Sequence, residues 1–273
     1  MARLLLPTDL SDNALNAAVY GIRLMGTEQG HFTLLHTVLI PPFNPAADLS
    51  LDVAAVEAAH DGLTRFEQRL RQAVDLGGAV VERRVEHGEL PTVVDRLVGE
   101  LGIDLVAMGT QGASGLQEAL LGSNAADVIR SSKAPVLTVP ARATYRDPRR
   151  IVVADDGKPV EAGTVTPLLN VARWHRAELT IVRGVPEGVD ASTLPPSPLD
   201  DRLGAVPRSV HYLSEENLVT ALNDLVDQLE ADLLVLTHRH RTLWSDLFHR
   251  STTAHMAMHA QVPLLALEQD LRR

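Results

Sequence analysis

Residues Leu105 to Asn124 read LVAMGTQGASGLQEALLGSN, and the change of character along them sets the fold. The apolar run Leu105 to Met108 has the length and composition of a buried strand. It breaks into Gly109, Gly112 and Gly115, and Gly122-Ser123-Asn124 then leads into a helix-like segment, Asn124 to Ser131. Glycines directly after a strand let the backbone turn sharply and let a ligand approach with no side chain between. Successive backbone N–H groups followed by a helix N-terminus suit an anion such as phosphate. The stretch is not a Walker A loop, because it holds no lysine and no Gly-Lys-Ser/Thr. An ordinary strand-to-helix turn has the same ingredients, so the loop alone leaves both readings open.

Outward from this stretch, strands alternate with helices. Arg3 to Pro7 reads as a buried strand, and Asp9 or Ser11 can cap a helix whose apolar positions include Leu15, Ala18, Ile22 and Met25. His31 to Val38 is a second strand, and the proline-rich Leu39 to Ser50 can continue neither element. Helical periodicity over Val53 to Val74, a strand at Val80 to Val85, a proline-opened helix at Pro91 to Leu101 and a last strand at Val136 to Val139 complete the pattern. Such alternation implies parallel pairing with right-handed crossovers, hence an open α/β sheet covered on both faces. Ligands of these sheets bind beyond the carboxyl ends of the strands, where the strand order reverses. Pro7-Thr8-Asp9, Val38 and Gly109 all fall at such ends.

The pattern then starts again. Ile151-Val152-Val153-Ala154-Asp155-Asp156 repeats Leu4-Leu5-Leu6-Pro7-Thr8-Asp9, and Leu179 to Val185 repeats Phe32 to Val38. Ala231 to Leu236 repeats Ile103 to Met108, and Val262 to Leu265 repeats Ala134 to Leu137. The chain is predicted to be a tandem duplication, with domains at 1–141 and 149–273 joined through the polar segment Ala141 to Arg149.

The glycine spacing, Gly109-x2-Gly112-x9-Gly122-Ser123, resembles the ATP-binding signature of the universal stress protein family, and it matches at every fixed position. The resemblance implies a Rossmann-like, nucleotide-binding fold in each half and an ATP site in the first. It places an aspartate, Asp9 of Pro7-Thr8-Asp9, against adenine and ribose, Val38 against the base, and Gly109, Gly112, Gly122, Ser123 and Asn124 at the phosphates, with Met108, Pro7 and Thr8 also among the nucleotide-binding residues. Mg or Mn would be bound through those phosphates. Ala125 departs from the pattern, since many nucleotide-binding members carry a hydroxyl residue there. The resemblance further implies a stress-response sensor or regulator. Single-domain members commonly dimerise through the last strand, so the two copies are expected to form an intrachain pseudo-dimer through Val136 to Val139 and Leu264 to Leu267. A homodimer of whole chains is a further form to expect.

The second copy has lost the signature: Gly109, Gly112 and Gly122 correspond to Thr237, His240 and Arg250. Bulky side chains there should block the backbone approach that phosphates need. The counterpart of the second helix is also missing, because Gly188 to Ala205 is short and holds Pro195, Pro196 and Pro198. Only Asp156 and Val185 remain as echoes of a base pocket. His238, His240, His249, His255 and His259 crowd together. They suit a zinc-like ion by spacing, but Arg239, Arg241 and Arg250 repel a cation, so an anion site or a partner surface competes with the metal reading.

Composition excludes several classes. A formal charge of −10 argues against a general nucleic-acid or acidic-membrane surface. No cysteine is present, which removes disulfides, thiol catalysis and zinc-thiolate sites. No run approaches the roughly 18 apolar residues of a membrane span, and MARLLLPTDLSDN reads as a strand and not a signal peptide, so the expected compartment is cytoplasmic. Phosphoryl transfer usually needs a charge-neutralising clamp, and the loop offers no lysine or arginine before Arg130. Ser114 and Gln117 are the polar loop residues nearest such a role. A slow ATPase or phosphotransferase is therefore the alternative to a binding regulator, and no catalytic residue is assigned.

Overall fold

Arg3–Pro7 forms β1, whose Leu4, Leu5 and Leu6 are almost wholly buried, as a strand covered on both faces requires. The computed structural model describes residues 2–39, 49–110, 122–238 and 262–268. Residues 2–110 with 122–144 form one unit, and residues 145–268 another.

In the first unit β1 is followed by α1 (Asp12–Met25), β2 (His31–Val38), α2 (Leu49–Ala73), β3 (Val80–His87), α3 (Leu90–Leu101), β4 (Leu105–Gly109), α4 (Ser123–Ser131) and β5 (Val136–Val139). The strands pair in parallel in the order β3-β2-β1-β4-β5. The order reverses between β1 and β4, which sets the crevice there. Ser11 caps α1 by accepting the Ala14 N–H at 3.2 Å. The buried stripe of α1 is Ala14, Ala17, Ala18, Tyr20, Ile22 and Leu24. Leu15 and Met25, expected in that stripe, are only half-buried. The helix α2 begins four residues before the expected Val53, at Leu49, and buries Leu63, Phe66 and Leu70. Arg83 of β3 donates to Thr64 Oγ1 at 3.1 Å, so the face of β2 and β3 carrying Leu34, His36 and Arg83 is the one under α2.

The second unit repeats the scheme with β6 (Arg150–Asp155), α5 (Ala162–His175), β7 (Glu178–Val185), α6 (Asp200–Leu203), β8 (Arg208–Ser214), α7 (Leu218–Gln228), β9 (Leu233–His238) and β10 (Leu264–Glu268). Its parallel order, β10-β9-β6-β7-β8, is the same once each strand is matched to its counterpart. Between β7 and β8 a short 3-10 turn, Ala191–Thr193, and the four-residue α6 replace the long α2, as the prolines anticipated. Among the described residues no helix is long and apolar enough to cross a membrane.

Candidate functional site

The first unit opens at its switch point for a reason visible in the backbone. Thr8 N–H donates to Leu35 O on the β2 side at 2.8 Å, and Arg3 N–H donates to Asp104 Oδ2 on the β4 side at 2.8 Å. By alternation, the nitrogen of residue 7 also faces β4, and proline has no N–H to give. The β1–β4 pairing accordingly stops at Leu5↔Val106, two residues short of Pro7 and three short of Gly109.

The turn after β1 is held by its own side chains. Thr8 Oγ1 accepts the Leu10 N–H at 2.8 Å, and Asp9 Oδ1 accepts the Ser11 N–H at 3.1 Å. Leu10 adopts φ 69°, a left-handed conformation that costs a leucine roughly 1 kcal/mol or more, and its side chain rests against Gly62 of α2. Thr8 is buried and Asp9 exposed, so the carboxylate projects from a fixed turn. His36 Nδ1 lies 2.7 Å from Thr8 O. A carbonyl only accepts, so Nδ1 carries a proton in this contact. Val38 ends β2 half-buried, two residues beyond His36 and on the same face.

Across the opening, Met108 is buried and Gly109 is half-buried at the end of β4. A Cβ on Gly109 would lie 2.5 Å from Asn13 Nδ2 and 2.8 Å from Asn13 Cγ. One on Gly122 would lie 2.8 Å from the Thr110 carbonyl oxygen, to which the Gly122 N–H donates at 2.6 Å. Thr110 N–H in turn donates to Val139 O at 3.1 Å. The chain thus leaves the sheet at Thr110 and returns to the same point at Gly122. Both glycines stand in close protein contacts, Gly122 against backbone and Gly109 against the end of a side chain. Gly112, Gly115, Ser114 and Gln117 lie outside the described residues.

Gly122 is the N-cap of α4 and supplies no side-chain cap, so the first-turn amides, at Ser123, Asn124 and Ala125, lack an intrahelical acceptor. Ser123 and Asn124 are exposed, whereas Ala125 is buried, and its methyl belongs to the core. The structure therefore gathers Pro7, Thr8, Asp9, Gly109, Gly122, Ser123 and Asn124 around the carboxyl ends of β1 and β4. Asn13 and His36 join them without having been singled out. Their signals were a polar side chain in the first turn of α1 and a residue sharing the face of Val38.

The second unit is built differently at the same place. Ala154 replaces Pro7, and the β6–β9 pairing runs on through Val153↔Val235 to Ala154↔Leu236, two register pairs that β1 and β4 lack. Thr237, the counterpart of Gly109, is fully buried and donates to Ala154 O at 3.5 Å. Arg183 stands in the position of His36 and Asp155 in that of Thr8, and both are buried. Arg183 Nε lies 3.8 Å from Asp155 Oδ2, its Nη1 donates to Pro195 O at 2.8 Å, and its guanidinium lies 6.0 Å from the Tyr212 ring centre. Burial pushes the Asp155 carboxyl above its ordinary range, while the Ser197 hydroxyl, the Gly157 amide and Arg183 pull it back. Asp156 Oδ1 caps the Lys158 N–H, and Val185 is buried at the end of β7. His240, Arg250, Asp246, His249, His255 and His259 lie outside the described residues. Among the described residues no group of three or more His, Asp or Glu side chains is gathered as a metal ion would need.

Parallel sheets in this strand order, opening at the β1–β4 switch, define a Rossmann-like α/β protein. The sequence profile of the Universal stress protein family matches residues 1–140 and again 148–268, and the chain belongs to that family as a tandem member. It is 31% identical to universal stress protein G of Escherichia coli O157:H7 over 135 residues, 48% of this chain and 89% of the relative. It is 29% identical to universal stress protein YxiE of Bacillus subtilis over 140 residues, 48% of this chain and 92% of the relative. The fold also matches the crystal structure of a universal stress protein from Archaeoglobus fulgidus over 98% of both chains, with a TM-score of 0.73 at 20% identity.

Proposed function

We propose that the first domain binds ATP or a related adenine nucleotide and that the protein acts as a cytoplasmic stress-response regulator. The observation that carries this reading is the gap beyond Leu5↔Val106, flanked by the uncapped amides of α4. Asp9 and Val38 would hold the adenosine half. Gly109, Gly112, Gly122, Ser123 and Asn124 would hold the phosphates, with Mg or Mn carried on the phosphates themselves, and Pro7, Thr8 and Met108 would complete the nucleotide site. The domain limits of this reading are 1–141 and 149–273. Association of the copies through their last strands follows from the apolar character of those strands, which is costly to leave as open edges. Rapid amide exchange along both Val136–Val139 and Leu264–Glu268 would refute that association.

Titration calorimetry of the full chain with ATP tests the site. Gly122→Val should abolish binding, because its Cβ meets the Thr110 backbone, which cannot move without unseating β4 from β5. A circular dichroism spectrum retained by the variant shows that the loss is local. Binding unaffected by this substitution would sink the reading. Phosphate release by the wild-type chain, lost in the same variant, would favour a slow ATPase.

A further inference from the structure

We propose that Asn13 is a positioning residue of the nucleotide site, and that Gly109 is glycine because Asn13 occupies the space of its missing Cβ. The proposal rests on the adenine-nucleotide reading of the first domain and adds a residue to it. Asn13 lies in the first turn of α1, two residues after the Ser11 cap, so its backbone is fixed to the turn that carries Thr8 and Asp9. Its side chain lies against Gly109 at the end of β4. The three atoms that a Cβ on Gly109 would meet are all from the Asn13 amide group, at 2.5, 2.8 and 3.1 Å, and Asn13 Oδ1 is shielded from solvent. Where the β1–β4 ladder has ended, this amide lies against the last residue of β4 from the first turn of α1.

The two glycines flanking the loop therefore differ in kind. A methyl at Gly122 meets backbone oxygen, and no side-chain change relieves it. A methyl at Gly109 meets the end of a side chain, which can be pushed aside. The cost of Gly109→Ala is then the displacement of Asn13 from its seat, the same loss that Asn13→Ala causes directly. Gly109 leads into the phosphate loop, whereas Asp9 and Val38 do not depend on it. Triphosphate binding should suffer and adenosine binding should not.

The test is a double-mutant cycle on the full chain, with ATP and adenosine as separate probes. Asn13→Ala and Gly109→Ala should each weaken ATP about tenfold and leave adenosine within about twofold. The double variant should be no weaker than either single one. A mutation that merely loosened the fold would lower both affinities together, so the split between the ligands is diagnostic. Multiplying losses in the double variant would mean that Gly109 meets the phosphates independently of Asn13, and would overturn the proposal. Wild-type ATP affinity in Asn13→Ala would overturn it as well. If the wild-type chain bound neither probe, the nucleotide reading itself would fall, and the proposal with it; the two failures are told apart by the wild-type titration.

Discussion

At the scale of single residues, the described part of the second domain buries an acid and a base together, Asp155 and Arg183. Asp155 is almost fully buried, with Arg183 at 3.8 Å and no closer cation among the described residues. Its carboxyl is raised above the ordinary 3.8, chiefly by burial. A raised carboxyl favours the proton in the folded state, so the folded chain binds more protons than the unfolded chain between the ordinary and raised values. Stability falls as pH rises through that window and stays lower above it. An Asp155→Asn variant does not titrate, so its unfolding free energy relative to wild type should improve from acid to neutral pH. Urea unfolding at several pH values measures this, and a difference independent of pH would refute it. The comparison with Thr8 and His36 in the first domain is instructive. There the imidazole Nδ1 of His36 donates to the Thr8 carbonyl.

At the scale of elements, Pro7 decides whether a pair of strands closes. Pro7→Ala would restore the N–H that faces β4, as Ala154 does in the second domain. A backbone hydrogen bond contributes about 1 kcal/mol net, and removing a proline frees the unfolded chain by a similar amount, so stability should change by less than about 1 kcal/mol. ATP affinity should fall, because the ladder would extend into the gap. Calorimetric titration with thermal melting separates the two effects. A variant that binds ATP as wild type does would show that the open ladder is not what admits the ligand.

At the scale of the whole molecule, the duplicated chain should bind one nucleotide and not two. The first domain has the gap and the uncapped α4. The second has the two extra register pairs, the buried Thr237 and a cluster around Arg183 where the base side of the crevice would be. Native mass spectrometry should give one ATP per chain. His240→Gly should leave that stoichiometry and affinity unchanged, while Gly112→Val should abolish binding. Two equivalent sites per chain would overturn the assignment.

The sequence by itself determined the alternation of strands and helices, the duplication and the glycine spacing, because periodicity and glycine placement are local and survive without tertiary context. It also showed that the second copy lacks the signature. It did not show why the crevice opens in one copy and closes in the other. That depends on which side of β1 the nitrogen of Pro7 faces, which is settled only when β1 lies between β2 and β4. Nor did it show Asn13 against Gly109, or Arg183 against Asp155, because those pairs are far apart in the chain and meet only through the strand order. The steric reason for Gly109 and Gly122 was read in the sequence as room for a ligand. The folded chain shows that the same room is already bounded by Asn13 and by the Thr110 carbonyl, since a strand end, a helix start and a loop stem converge there.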